Sequence, residues 1–240
     1  MDAVAQRRAV ESVEGVPGWL LDEDALKLYE LAHAATGSIL EIGTYRGKSA
    51  ILMATALRDG GREGPIVSLD VDREGLEAAR AEAARRELAD RIAFVRGTAE
   101  ALLRSRHGFA PGLVFLDGDH TRRGLARDLR ALEACVPRGA ALLFHDFNDE
   151  RNDDPGEPDY GVTQAVAESW VARDCEFGGV FGACGLYLRE TGPQRDGGPG
   201  LETGAITDLG SESPASWFER RVVGGLSRRA GALLRGRRAG

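Results

Sequence analysis

Glu41-Ile42-Gly43-Thr44-Tyr45-Arg46-Gly47-Lys48-Ser49 stands where an apolar run, residues 38–42, turns toward a helical pattern. Glycines at such a turn let the backbone approach a ligand closely and leave helix N-terminal N–H groups free to meet it. The spacing GxxxG lacks the central glycine of the GxGxxG dinucleotide fingerprint, and an acid, Glu41, precedes the first glycine. A carboxylate beside the turn is poorly suited to a pyrophosphate and suits a cationic ligand.

Outward from this turn, short runs rich in Ile, Leu, Val and Phe recur at residues 38–42, 66–70, 92–95, 113–117 and 140–145, with helix-like stretches between them. Apolar strands alternating with helices predict a doubly wound, mostly parallel α/β sheet covered on both faces. Leu125, Leu129, Leu132 and Val136 follow helical spacing, with Thr121 as the expected N-cap and Pro137 and Gly139 ending the helix. Val162, Val166 and Trp170 make a second stripe, and residues 73–88 read as a helix with Glu82 and Arg86 paired four apart. The stretch EFGGVFGACGLYLRE, residues 176–190, reads as two short strands joined by a glycine-containing turn, the antiparallel end of the sheet.

The 240 residues carry 42% hydrophobic and 29% charged side chains, a balance that supports one folded domain, expected over residues 1–190 with an N-terminal helical segment. Residues 191–240 read as a Gly/Pro/Ser-rich linker and a flexible basic tail, WFERRVVGGLSRRAGALLRGRRAG, that is solvated or docks on an anionic surface or partner. A net charge of -7 argues against nucleic acid as the main partner. The charged first twenty residues and the lack of a bilayer-length apolar run predict no signal peptide, no transmembrane segment and a cytoplasmic location. Cys135, Cys175 and Cys184 form no CxxC pair and read as reduced thiols. Arginine in place of lysine, with abundant alanine, suggests a bacterial source.

Asp70 closes the second strand at the distance expected for an acid that takes ribose hydroxyls, with Asp72 as the reserve. The turn Gly97-Thr98-Ala99-Glu100 is placed to border a ring. The richest site is Asp117-Gly118-Asp119-His120, joined by His145-Asp146 after the next strand: neighbouring strand ends bring these groups to one ligand face. A histidine there can remove a proton as general base. The alternative is that His120 caps the following helix or simply pairs with Asp117. The loop FNDERNDDPGEPDY, residues 147–160, reads as a lid whose acids favour a basic acceptor such as an amino sugar, or as a solvated surface.

EIGTYRGKS, VSLD, GTAE, FLDGDH and LFHDF, in this order, resemble the class I S-adenosylmethionine-dependent methyltransferases, and more narrowly the branch containing macrocin O-methyltransferase and related natural-product sugar methyltransferases. The resemblance covers residues 19–190. It implies a seven-stranded sheet with an antiparallel last strand, and S-adenosylmethionine, whose ammonium and sulfonium match the cationic reading, as cofactor. Glu41, Gly43, Thr44, Tyr45, Gly47 and Ser49 would surround its methionine part, Asp70 its ribose, and Thr98 and Ala99 its adenine, with Asp117 at the transfer site. It further implies magnesium held by Asp117 and an acidic pair at 145 and 146, and His120 as base. His145 replaces the first acid of that pair, and magnesium prefers oxygen ligands. The candidate metal set is therefore Asp117 and Asp146 with His145 beside them, magnesium being possible, and the alternative is that the two acids position the acceptor.

The expected reaction is methylation of a hydroxyl on a small polyhydroxylated acceptor, a sugar or glycosylated natural product, by an enzyme that can be a homo-oligomer as relatives are. An N-methyltransferase or phenolic O-methyltransferase uses the same scaffold. A non-catalytic interaction protein docking through the basic tail is the remaining alternative, and a nicotinamide enzyme is disfavoured by the missing glycine.

Overall fold

The computed structural model describes residues 3–105, 108–190 and 201–210. In chain order the elements are α1 (Ala3–Glu11), α2 (Asp22–Ala34), β1 (Ile39–Ile42), α3 (Lys48–Asp59), β2 (Ile66–Asp70), α4 (Arg73–Arg85), β3 (Ile92–Arg96), α5 (Ala99–Ser105), β4 (Leu113–Leu116), α6 (Arg122–Leu132), β5 (Ala141–Phe144), α7 (Val162–Ala167), α8 (Trp170–Asp174), β6 (Cys175–Phe181), β7 (Cys184–Arg189) and β8 (Ile206–Asp208).

Among the described residues the strands form one sheet in the order β6-β7-β5-β4-β1-β2-β3-β8. It is parallel except at β7, which is antiparallel to both β5 and β6. Successive residues of a strand point to opposite faces, and the core divides accordingly. Ile39, Ile66, Phe94 and Phe115 pack under α1 to α4. Leu40, Val67, Val95 and Val114 pack under α5 to α8. Each such side chain, fully buried, contributes roughly 1.5–3 kcal/mol of transfer free energy.

Burial outweighs local signals in α3, whose glycine N-cap forgoes only a few tenths of a kcal/mol of side-chain capping and which is buried continuously over residues 49–57. Thr121 does cap α6, its hydroxyl accepting from Gly124 N at 3.0 Å, and Arg86 meets Glu82 at 2.8 Å. The stripe Val162, Val166 and Trp170 is buried, but on two short helices: Ser169 breaks the run by capping α8.

Two expectations change. The sheet has an eighth strand, because Ile206–Asp208 pairs parallel with β3 through Phe94↔Ile206 and Arg96↔Asp208. Residues 201–210 therefore form ordered structure inside the stretch read as linker, held by that ladder and by the Arg96–Asp208 ion pair at 3.0 Å. The basic tail lies outside the described residues, as does His107. No helix among the described residues is long and apolar enough to cross a membrane, and the three cysteines carry free thiols.

Candidate active site

β1 is flanked by β2 on one side and β4 on the other, so the chain's winding direction reverses between β1 and β4. Ligands of open α/β sheets enter at this crevice, beyond the carboxyl ends of the strands. Both candidate motifs converge on it. The loop 43–47 adopts left-handed backbone at Gly43 (φ 101°), Tyr45 (φ 47°) and Gly47 (φ 86°). A side chain at Gly43 would bring its Cβ within 2.5 Å of the Asp117 carbonyl carbon and closer still to its oxygen. Glycine thus lets the β1 loop lie directly against the end of β4.

Asp70 anchors this loop. Its Oδ2 accepts from Tyr45 N at 2.8 Å and its Oδ1 from Asp72 N at 2.9 Å. Burial raises its pKa. Asp72, the reserve candidate, is instead the N-cap of α4, accepting from Glu74 and Gly75 N. Thr98 caps the start of α5 through Ala101 N at 3.2 Å, and Ala99 is buried beside it.

Glu41 is placed otherwise than expected. It follows Ile39 onto the α3 side of the sheet, is 0% exposed, and accepts from the hydroxyls of Ser49 and Ser68, the latter also bonded to Thr44 Oγ1 at 2.7 Å. Glu41 and Ser49 thus tie β1, β2 and α3 together from behind the loop, with no exposed carboxylate to meet a ligand. Burial, partly offset by the two serines, pushes the Glu41 pKa up to about 7. An unfolded glutamate loses its proton near 4.5, so the unfolded state releases the proton first and stability falls as pH rises from about 4.5 to about 7. At about 1.36 kcal/mol per unit, the loss is on the order of 3 kcal/mol. Glu41→Gln should therefore flatten the pH dependence of urea midpoints between pH 4.5 and 8 relative to the wild type; equal slopes would place the proton elsewhere.

The second motif forms a compact cluster: Asp117, His120, His145 and Asp146 bring one ligand-type atom each within 4.8 Å of one another. His120 Nε2 lies 3.0 Å from Asp117 Oδ1 and 3.5 Å from Asp146 Oδ2. It does pair with Asp117, but Thr121, not His120, caps α6. His145 Nδ1 lies 3.2 Å from Asp117 Oδ1 and 3.0 Å from Asp146 Oδ1. Both carboxylates are held well below the usual range against the cost of burial: His145 and His120 oppose it at Asp117, and the same imidazoles with Tyr160 at Asp146. The His145 pKa is raised in return, its carboxylate neighbours outweighing desolvation.

The acidic loop turns out to be built rather than loose. Buried Asn152 donates to the carbonyls of Asp146, Phe147 and Asp149 at 2.9–3.2 Å. These bonds hold Asp146 in a left-handed conformation, φ 57°, which costs a non-glycine residue on the order of 1 kcal/mol. Gly161 N donates to His120 O and Arg122 N to Asp159 O, each at 3.0 Å, fastening the loop's far end to the cluster. Asp149 is occupied by Arg151, so part of the loop's charge is neutralised internally.

Three further residues complete the site. Tyr160 donates its hydroxyl to Asp146 Oδ2 at 2.7 Å and stacks its ring on His120, centroids 5.8 Å apart. Arg151 reaches Asp146 at 3.3 Å over the Tyr160 ring. Asp24, 0% exposed in the first turn of α2, faces His145 Nε2 at 3.6 Å while accepting from Leu21 N and Ala183 N. Tyr160 closed the loop motif but carried no chemical signal, Arg151 was masked by the acids around it, and Asp24 reads locally as a helix-start acid. Beyond Tyr160 lies a cavity of about 260 Å³, bordered by Arg122, Asp153, Asp154, Glu157 and Gln164.

Residues 40–147, which span both motifs, match a family model described as a methyltransferase domain. Residues 40–147 thus carry a methyltransferase domain, set in a doubly wound fold. It is 25% identical over 172 residues to the rhamnosyl O-methyltransferase of Mycobacterium leprae (strain TN), covering 63% of this chain and 71% of that protein. In fold it is similar to the O-methyltransferase TomG of Streptomyces achromogenes, solved with S-adenosylmethionine and involved in tomaymycin synthesis: TM-score 0.57, 22% identity, 80% of this chain and 92% of that one. It is likewise similar to a Bacillus cereus O-methyltransferase solved with S-adenosylhomocysteine: TM-score 0.55, 15% identity, 79% and 92%.

Proposed function

We propose that this protein transfers the methyl group of S-adenosylmethionine to a hydroxyl of a small polyhydroxylated acceptor, a sugar or a glycosylated natural product. The observation that carries the reading is the Asp117–His120–Asp146 cluster, half-buried at Asp117 and buried at the other two, lying against the Gly43–Gly47 loop at the sheet's reversal point. The hydroxyl preference is supported by the 25%-identical rhamnosyl O-methyltransferase and by the polar cavity beside Tyr160.

In this reading the loop from Gly43 through Thr44 and Tyr45 to Gly47 receives the amino-acid part of the cofactor, Asp70 its ribose, and Thr98 and Ala99 its adenine. Asp117 borders the transfer site. Glu41 and Ser49 act from behind, by fixing the loop. The acceptor oxygen attacks the methyl carbon as the carbon–sulfur bond breaks, releasing S-adenosylhomocysteine, and the hydroxyl proton passes to His120. Asp117 stabilises the imidazolium so formed, and Tyr160 holds the ring flat by stacking. The donor methyl is already activated, so alignment of oxygen, carbon and sulfur supplies most of the acceleration.

Magnesium fits the carboxylate oxygens of Asp117 and Asp146. It does not fit His145 Nδ1, a buried nitrogen pointed among them. No step is assigned to magnesium.

Thermal unfolding with saturating S-adenosylhomocysteine or NAD tests the cofactor. A ligand at a hundred times its Kd adds about 2.7 kcal/mol, or roughly 5–10 °C here, expected for the adenosyl compound alone. A response to NAD alone would overturn the assignment. An acceptor panel then separates the classes: turnover on amines or phenols without turnover on glycosides would replace the sugar-hydroxyl reading.

A further inference from the structure

His145 is buried, and no hydrogen bond reaches its Nδ1 although Asp117 Oδ1 and Asp146 Oδ1 stand 3.2 and 3.0 Å away. Both oxygens stand within ion-pair distance, so the three atoms converge on one another. Three converging oxygen and nitrogen donors are an arrangement that a metal ion can take up. Two ligand atoms at right angles on an ion with bonds of about 2.1 Å stand about 3.0 Å apart, matching both separations.

Asp24 supplies a second, independent observation. It faces the opposite ring nitrogen, Nε2, at 3.6 Å, and is itself fixed by Leu21 N at 2.9 Å and Ala183 N at 2.8 Å. A carboxylate behind a ligating imidazole sets the tautomer, placing the proton on the far nitrogen and the lone pair toward the metal. Among the described residues the buried acid of α2 stands in that place, held to the β6–β7 turn through Ala183.

We propose that Asp117, His145 and Asp146 form a three-ligand site, with Asp24 orienting His145, that takes a borderline first-row divalent ion such as cobalt or zinc in preference to magnesium. Two carboxylates and an imidazole are a mixed oxygen–nitrogen donor set. Magnesium demands oxygen ligands in a near-ideal octahedron, whereas imidazole favours the later ions of the series. With three protein ligands, coordination positions remain open toward the crevice, where an acceptor's oxygens can enter. His120, whose Nε2 is bonded to Asp117, stays outside the coordination sphere. The inference deepens the methyltransferase reading and rests on it only for the role of the open positions.

The full chain, stripped with a chelator, is loaded separately with Mn2+, Co2+, Zn2+ and Mg2+ and desalted. Retained metal is measured by elemental analysis, Co2+ coordination by its visible absorption, and S-adenosylhomocysteine binding by thermal shift on the same samples. Stoichiometric retention of Co2+ and Zn2+ without retention of magnesium is expected. His145→Asp should reverse the preference toward magnesium, and Asp24→Asn should weaken retention by about 10- to 100-fold. Equal retention of magnesium by the wild type, or transition-metal retention unchanged in His145→Ala, would overturn the site. So would absence of retained metal in protein that still responds to S-adenosylhomocysteine, with the methyltransferase reading left standing. Retained metal without that response supports the metal site and removes the cofactor assignment instead.

Discussion

Replacing His120 with alanine should lower kcat by about 10²- to 10⁴-fold, the usual contribution of a positioned general base, while the Kd for S-adenosylhomocysteine changes less than about threefold. The separation follows from position. His120 sits beyond β4 among Asp117, Asp146 and Tyr160, whereas the loop and Asp70 proposed for the cofactor lie at the ends of β1 and β2. Because His120 is buried and stacked, its loss also disturbs packing, so His120→Gln is the necessary companion. Glutamine can keep a hydrogen bond to Asp117 but cannot accept the proton. Both variants should be slow; recovery in His120→Gln would make the residue a structural pin, and near wild-type turnover in the alanine variant would remove it as base.

The second large effect is expected at Gly43, where alanine should destabilise the fold by about 3 kcal/mol through overlap and backbone strain together. For a chain of this size that is a fall of roughly 6–12 °C in Tm, accompanied by loss of the stabilisation that S-adenosylhomocysteine provides. The added methyl would push directly on the Asp117 backbone, separating the two motifs that the crevice brings together. Gly37 is the control, with φ 81° but no atom within 4 Å of an added Cβ, so Gly37→Ala carries strain without collision. Equal shifts in the two variants would show that strain alone decides, and that the close approach of the loop to β4 is of no consequence.

The parallel sheet was legible because its strands announce themselves locally, as apolar runs bounded by glycines and acids, and Thr121 because capping is a short-range event. The convergence of Asp117, His120, His145 and Asp146 was legible for a topological reason, since residues after adjacent parallel strands must share one face. The opposite holds for Asp24, whose role depends on α2 crossing the β6–β7 turn, a contact spanning 159 positions that no local pattern encodes. Glu41 lies behind the loop because strand alternation decides its direction: one residue along from Leu40, it points to the α3 side. The break between α7 and α8 hid behind a helical stripe that continues across it, since Ser169 interrupts the backbone without disturbing the apolar face.

The short strand beyond Glu190 has a consequence for handling the protein. β3 is apolar along most of its length, and without β8 its outer side would present a row of unsatisfied backbone donors and acceptors, a template for other chains to add to. Ile206–Asp208 occupies that row, and the Arg96–Asp208 pair closes it with charge. A shortened version ending at 190, chosen because the composition there looks dispensable, would keep every residue of the crevice and still be drawn toward self-association. The segment that resembles a tether is what covers the β3 edge of this sheet.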